Sequence, residues 1–110
     1  MSTAVDQLAA LPGVTGICLH RGADMVECRL PEHVTGERAA ALCAAVAGAF
    51  ATYAGAGRQL REAWFEFPGL GVLAMPAPWQ PEEMLTFFLT DRSHAGTATG
   101  AARSAAPAVE

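Results

Sequence analysis

The sequence predicts an α+β domain: a five-stranded antiparallel sheet with a long central helix on one face and short terminal helices on the other, in the order α-β-β-α-β-β-β-α. Three observations carry that reading. The stretch Thr35–Gly57 has helical character over about five turns and no charged residue between Arg38 and Arg58. Two pairs of short apolar or aromatic runs flank tight-turn residues, Arg21–Ala23 in the first pair and Pro68-Gly69 in the second. A last run, MLTFFLTD (Met84–Asp91), is apolar at nearly every position, as expected of a strand covered on both faces.

Taken in order, the chain opens on a short helix whose apolar side is Val5, Leu8, Ala9 and Leu11, with Asp6 near its positive end and Pro12-Gly13 as its stop. VTGICLH (Val14–His20) is the first strand, and DMVECRL (Asp24–Leu30) returns as the second. Strict alternation puts Val26, Cys28 and Leu30 on one face of that strand and Met25, Glu27 and Arg29 on the other. Pro31 closes it. The long helix follows and stops at Gly55 and Gly57. REAWFEFPG (Arg61–Gly69) and LGVLAMP (Leu70–Pro76) form the second hairpin, and PAPWQPEE (Pro76–Glu83) reads as a stiff proline-rich loop before the fifth strand. These elements make one domain over 1–92. Residues 93–110 are expected to hold a weak helix (His94–Ala106) and a frayed tail, since Gly96 and Gly100 each lower helix stability by about 1 kcal/mol relative to alanine.

The central helix has two different faces. On a helical wheel Leu42, Val46, Ala49, Phe50 and Tyr53 fall on one arc with Ala39 beside them, while Ala40, Ala44, Ala47, Ala51 and Ala54 fall on the other. A bulky face suits a sheet, and a smooth alanine face lets a second helix approach closely. An alanine-rich chain could also expose alanine with no partner. A membrane span has the required length of roughly 20 residues, but the run is mostly alanine and glycine with little leucine or isoleucine, so no membrane insertion is expected.

A chain of 110 residues is one domain and buries roughly 65% of its unfolded surface. With 52% hydrophobic and 16% charged residues, its apolar surface exceeds what one core can cover, which favours an oligomer. Net charge is −4, and the scattered arginines form no basic stripe, so nucleic acid is not an expected partner. The amino terminus carries no export pattern, which points to the cytoplasm.

Signals of chemistry are weak. The three cysteines (Cys18, Cys28, Cys43) include no CxxC, and His20, His33 and His94 complete no zinc pattern, so neither metal nor cofactor is expected. Each cysteine lies in an apolar run, where it acts as a small hydrophobe. A Cys18–Cys28 disulfide across paired strands is the alternative. No phosphate loop exists, because the glycines at Gly55, Gly57, Gly69 and Gly71 lack the Gly-Lys-Ser/Thr ending. Glu82 and Glu83 are adjacent and would point apart on an extended chain. Cys18 and His20 share a face of the first strand, yet that strand reads as entering a core, away from the polar surroundings an active thiol needs. The chain is therefore expected not to be an enzyme.

The element order, together with LAALPGVTGICLHRGADMV (Leu8–Val26), resembles the Roadblock/dynein light chain family. Leu11, Gly13, Val14, Gly16 and Gly22 stand where that family has its Leu-x-x-(Pro/Ile)-Gly-Val-x-Gly segment and hairpin glycine, and the likeness extends over Leu8–Asp91. The Pro-Trp-Gln-Pro segment and the weak final helix depart from the pattern. The resemblance implies a homodimer in which central helices pack side by side through Ala40, Ala44, Ala47 and Ala51. It also implies that third strands, carrying Trp64 and Phe65, pair across the two-fold. It implies further a platform or adaptor for a small Ras-like GTPase. Arg58 and Arg61, just past the helix, are the candidate partner-binding residues, with Trp79, which either anchors an interface or folds back over the sheet end. The alternative function is a small-molecule sensor with an apolar pocket under the central helix.

Overall fold

The computed structural model describes residues 3–104, so the expected fraying of the last residues lies outside the described chain. The elements run α1 (Thr3–Ala9), β1 (Val14–Arg21), β2 (Asp24–Arg29), α2 (Gly36–Gly55), β3 (Ala63–Phe67), β4 (Leu70–Ala77), β5 (Gln80–Leu89), a single 3-10 turn (Arg92–His94) and α3 (Ala95–Ser104). The five strands form one sheet in the order β2-β1-β5-β4-β3, and each neighbouring pair is antiparallel. This is the α+β arrangement expected from the sequence.

The unbroken apolar run lands in the middle. β5 lies between β1 and β4, and Leu85, Phe87 and Leu89 point to one face while Met84 and Phe88 point to the other. On the first face Ile17, Leu19, Leu73 and Met75 join them under Val5 and Leu8 of α1 and Ala98 and Ala102 of α3. On the second face Cys18, Val72, Ala74 and Phe88 lie under Ala39, Cys43 and Val46 of α2. Period-two alternation on the strands and a 3.6-residue stripe on the helix thus feed two separate cores, one on each side of the sheet.

Both ends of α2 are closed as its sequence allows. The Thr35 hydroxyl accepts a hydrogen bond from the Arg38 amide at 3.1 Å, satisfying one of the free donors of the first turn. At the other end Gly57 takes a φ of 79°, and the Gly57 and Arg58 amides donate to Ala54 and Tyr53 carbonyls at 3.0 and 2.8 Å. That is a Schellman closure, and its left-handed residue has to be glycine at low cost.

Three expectations are corrected. Pro76–Glu83 is not a loop: β4 continues to Ala77, β5 starts at Gln80, and Pro78-Trp79 alone make the turn. The prolines are tolerated because Pro76 adjoins a register shift, and Pro81 lies beyond Met84, where pairing with β1 has ended. In β2, His20 pairs with Met25 while Leu19 pairs with Glu27, so Val26 is an extra residue in the ladder. Met25 and Cys28 consequently both face α2, and Val26 is left 52% exposed instead of sharing a face with Cys28. Tyr53, placed on the sheet-facing arc by the wheel, is 49% exposed, because the last turn of α2 is exposed from Ala51 onward.

The final helix packs one side against the sheet. Ala98, Thr99 and Ala102 are buried, and Asp91 accepts hydrogen bonds from the Ser93 amide and hydroxyl, which holds its carboxyl below the usual carboxylate range. Gly96 and Gly100 lie on the exposed side with open space where a side chain would project, and neither has positive φ. Changing both to alanine is expected to raise unfolding free energy by about 1 kcal/mol per site, read from the urea midpoint at unchanged m-value.

Candidate interaction surface

Among the described residues nothing covers the outer side of α2. Ala41, Ala44, Ala45, Gly48, Ala51 and Thr52 are exposed, and Ala40 and Ala47 are half-buried beside them. No charged side chain projects from the helix between Arg38 and its end. By length and apolar content α2 is also the one helix among the described residues that could cross a membrane. Its inner face nevertheless closes the sheet, and removing it would leave Cys18, Val72 and Phe88 bare. A smooth apolar surface of this kind favours close contact with another helix, since alanine lets two backbones approach and loses little side-chain entropy.

The second part of the surface is the free edge of the sheet. β3 is an outermost strand, with β4 on one side only. Trp64 and Phe65 point to opposite faces, Trp64 into the core beneath α1 and α3 and Phe65 toward α2. The Trp64 indole lies directly over Gly71, where a side-chain carbon would come within 2.2 Å of the ring, and Arg92 stacks 6.0 Å from its centroid. Phe67 shares the face of Phe65 and is 42% exposed, lining an apolar groove with Leu42, Leu70 and Phe88. Phe67 was missed in the sequence reading, although alternation from Phe65 would have found it. An exposed edge strand offers unpaired backbone donors and acceptors to a second strand.

The partner candidates lie on two connections, Arg58 and Arg61 between α2 and β3 and Trp79 between β4 and β5. Arg58 and Arg61 are exposed on the connection from α2 to β3, and Arg61 lines a cleft with Leu60, Pro78 and Arg103. Trp79, on the adjoining β4–β5 turn, is half-buried and packs against the core under α1 and α3, so it folds back onto the domain. Arg61 and Pro78 of the turn that carries Trp79 thus line one cleft, while Arg58 and Trp79 are not among its lining residues.

The polar residues of the interior are satisfied locally. His20 is fully buried, with Nδ1 2.9 Å from the Gly22 carbonyl and Nε2 2.7 Å from the Thr86 hydroxyl. A carbonyl can only accept, so Nδ1 donates to Gly22, and the Thr86 hydroxyl, able to donate or accept, partners Nε2. The Cys18 thiol lies in one cluster with Cys43 and Cys28, and the interaction with Cys43, followed by burial, pushes it far above the ordinary thiol range. Among the described residues no group of three His, Cys, Asp or Glu side chains is arranged to hold a metal ion.

No family model matches this sequence, and no curated protein matches it either. Solved structures do. The Roadblock/LC7 domain from Streptomyces avermitilis superposes with a TM-score of 0.69 at 14% identity, over 94% of this chain and 92% of that one. The gliding protein MglB of Thermus thermophilus gives 0.65 at 14% identity, over 94% and 86% of the two chains. Myxococcus xanthus MglB gives 0.71 at 10% identity, over 94% and 89%. At such identities the likeness is one of backbone architecture, and on that ground, with its element order, sheet and central helix in agreement, the chain has the Roadblock fold.

Proposed function

We propose that this protein is a homodimeric, non-catalytic interaction module that regulates or tethers a small Ras-like GTPase. The observation that carries the dimer is the uncovered alanine face of α2 lying on the same side of the sheet as Phe65 and Phe67 of the free β3 edge. Two copies related by a two-fold axis would stack Ala40, Ala44, Ala47 and Ala51 against their equivalents and extend the sheet through β3. Trp64 and Phe65, which already pack inward, would hold the edge strand in register. The GTPase assignment rests on the family resemblance, and the shared fold with the Roadblock/LC7 and MglB structures is consistent with it. Arg58 and Arg61 then supply positive charge where the partner docks, with Trp79 bracing the β4–β5 turn.

Light scattering on the purified protein at micromolar concentration is expected to return twice the 11.4 kDa chain mass. A monomer at that concentration removes the dimer. The partner is tested with the immobilised protein and host extract loaded with either GDP or a non-hydrolysable GTP analogue. A small GTPase is expected to be retained in one nucleotide state, and Arg58→Ala with Arg61→Ala to reduce that retention at least severalfold. Equal retention by the double variant removes these two residues from the partner site.

The ligand-sensor alternative called for an apolar cavity beneath the central helix. The middle of that space is filled by Cys43 and Val46 over Cys18 and Ala74, and the clefts beside α2 open to solvent near its two ends.

A further inference from the structure

The three cysteines come from three elements and converge on one spot. Cys18 of β1 stands directly opposite Cys28 of β2 in the ladder, and Cys43 of α2 joins them in one apolar cluster with Met25, Val72 and Phe88. Opposed residues on antiparallel strands have Cα atoms about 4.5–5.5 Å apart, within the range of about 4.4–6.8 Å that a disulfide bridges. Cys18 and Cys28 also point to the same face of the sheet, the one beneath α2.

Their access to solvent differs. Cys18 and Cys43 are fully buried, whereas Cys28 is half-buried on β2, an outermost strand. A small oxidant therefore meets Cys28 first, and the sulfur directly across the ladder from it belongs to Cys18. β2 and β3 are opposite edges of the sheet, so pairing of β3 with a second copy leaves the β2 edge unpaired.

We propose that Cys28 and Cys18 form an oxidation site for peroxide-class oxidants that closes into a cross-strand disulfide within the domain. The Cys28 sulfur attacks one oxygen of hydrogen peroxide, the O–O bond breaks, and one water leaves as Cys28 becomes a sulfenic acid. The Cys18 sulfur then attacks the sulfenic sulfur and gives up its proton. The S–O bond breaks and the second water leaves. Two thiols lose two electrons to one peroxide, and Cys43 takes no part in the bond. Burial pushes the Cys28 thiol up, so the first step quickens as the solution is made more alkaline. None of this depends on the GTPase reading.

Arginines at Arg21, Arg29, Arg38 and Arg58 let trypsin place each cysteine on its own peptide. The reduced full-length protein is treated with hydrogen peroxide, quenched, alkylated and digested without reductant. Mass spectrometry is expected to find the peptides ending at Arg21 and Arg29 joined, Cys43 alkylated, and the link undone by dithiothreitol. Two of the three thiols are lost. In Cys28→Ser, whose change lies at the sheet edge, loss of the Cys18 thiol is expected to slow at least tenfold. Over-oxidation of Cys28 with Cys18 intact, a Cys28–Cys28 bond between chains, or unslowed loss of Cys18 in Cys28→Ser would each overturn the proposal.

Discussion

Replacing Ala44 by glutamate is expected to convert the dimer into a monomer without unfolding the domain. Ala44 is exposed in the single chain, so the carboxylate is solvated there and far-UV circular dichroism stays unchanged. In the dimer the two-fold axis brings two such charges into one apolar seam, with no cation on α2 between Arg38 and its end to pair with them. An uncompensated buried charge costs about 3–5 kcal/mol, and each 1.4 kcal/mol is about tenfold in affinity. The dissociation constant should rise by at least about a thousandfold, seen as a halved mass by light scattering. Ala47→Glu is expected to do the same. Val26→Glu adds the same charge at the opposite edge, on a side chain 52% exposed, and should leave the mass unaltered. A dimeric Ala44→Glu would mean that the alanine face is solvent-facing in every state of the protein.

Phe87→Ala should be the most damaging single truncation. Phe87 has no exposed surface and sits on the central strand, packed among Ile17, Leu73, Leu85 and the residues beneath α1 and α3. Truncating a buried phenylalanine costs about 3–5 kcal/mol, against a total of about 5–15 kcal/mol for a domain. At about 4–8 °C per kcal/mol for a domain near this size, the melting midpoint should fall by on the order of 20 °C. Urea unfolding followed by the fluorescence of Trp64 and Trp79 checks this, at a fixed protein concentration because dimerisation adds to apparent stability. Val26→Ala, on the exposed bulge residue, should change stability by about 0.5 kcal/mol or less. A comparable loss at both positions would show that the core is not centred on β5.

Several features of the fold are legible in the sequence alone. MLTFFL identified the doubly covered central strand, because a strand buried on both faces needs apolar residues at both parities. The end of the long helix could be read from Gly57, whose backbone freedom suits the unsatisfied carbonyls there, while the Thr35 cap emerged only from the structure. Opposite orientations for Trp64 and Phe65 followed from adjacency on a strand. The β4–β5 hairpin was not legible. Pro76, Pro78 and Pro81 normally interrupt a ladder, and only the register shift beside Pro76 and the open side of β5 at Pro81 make them harmless. The surface of β2 was misread for a similar reason, since one inserted residue at Val26 reverses the alternation on either side of it.

The chain by itself determined which faces each element would bury, because that information is local: period two in the strands, period 3.6 in α2, a glycine stop after it. It also determined that α2 would carry a second apolar face with no charge on it. Only the tertiary structure decided that Cys18, Cys28 and Cys43 meet, that Tyr53 falls in the exposed last turn, and that Phe67 stands beside α2 on a free edge. Those outcomes depend on strand order and on single-residue shifts of register, which long-range packing sets and no local pattern encodes.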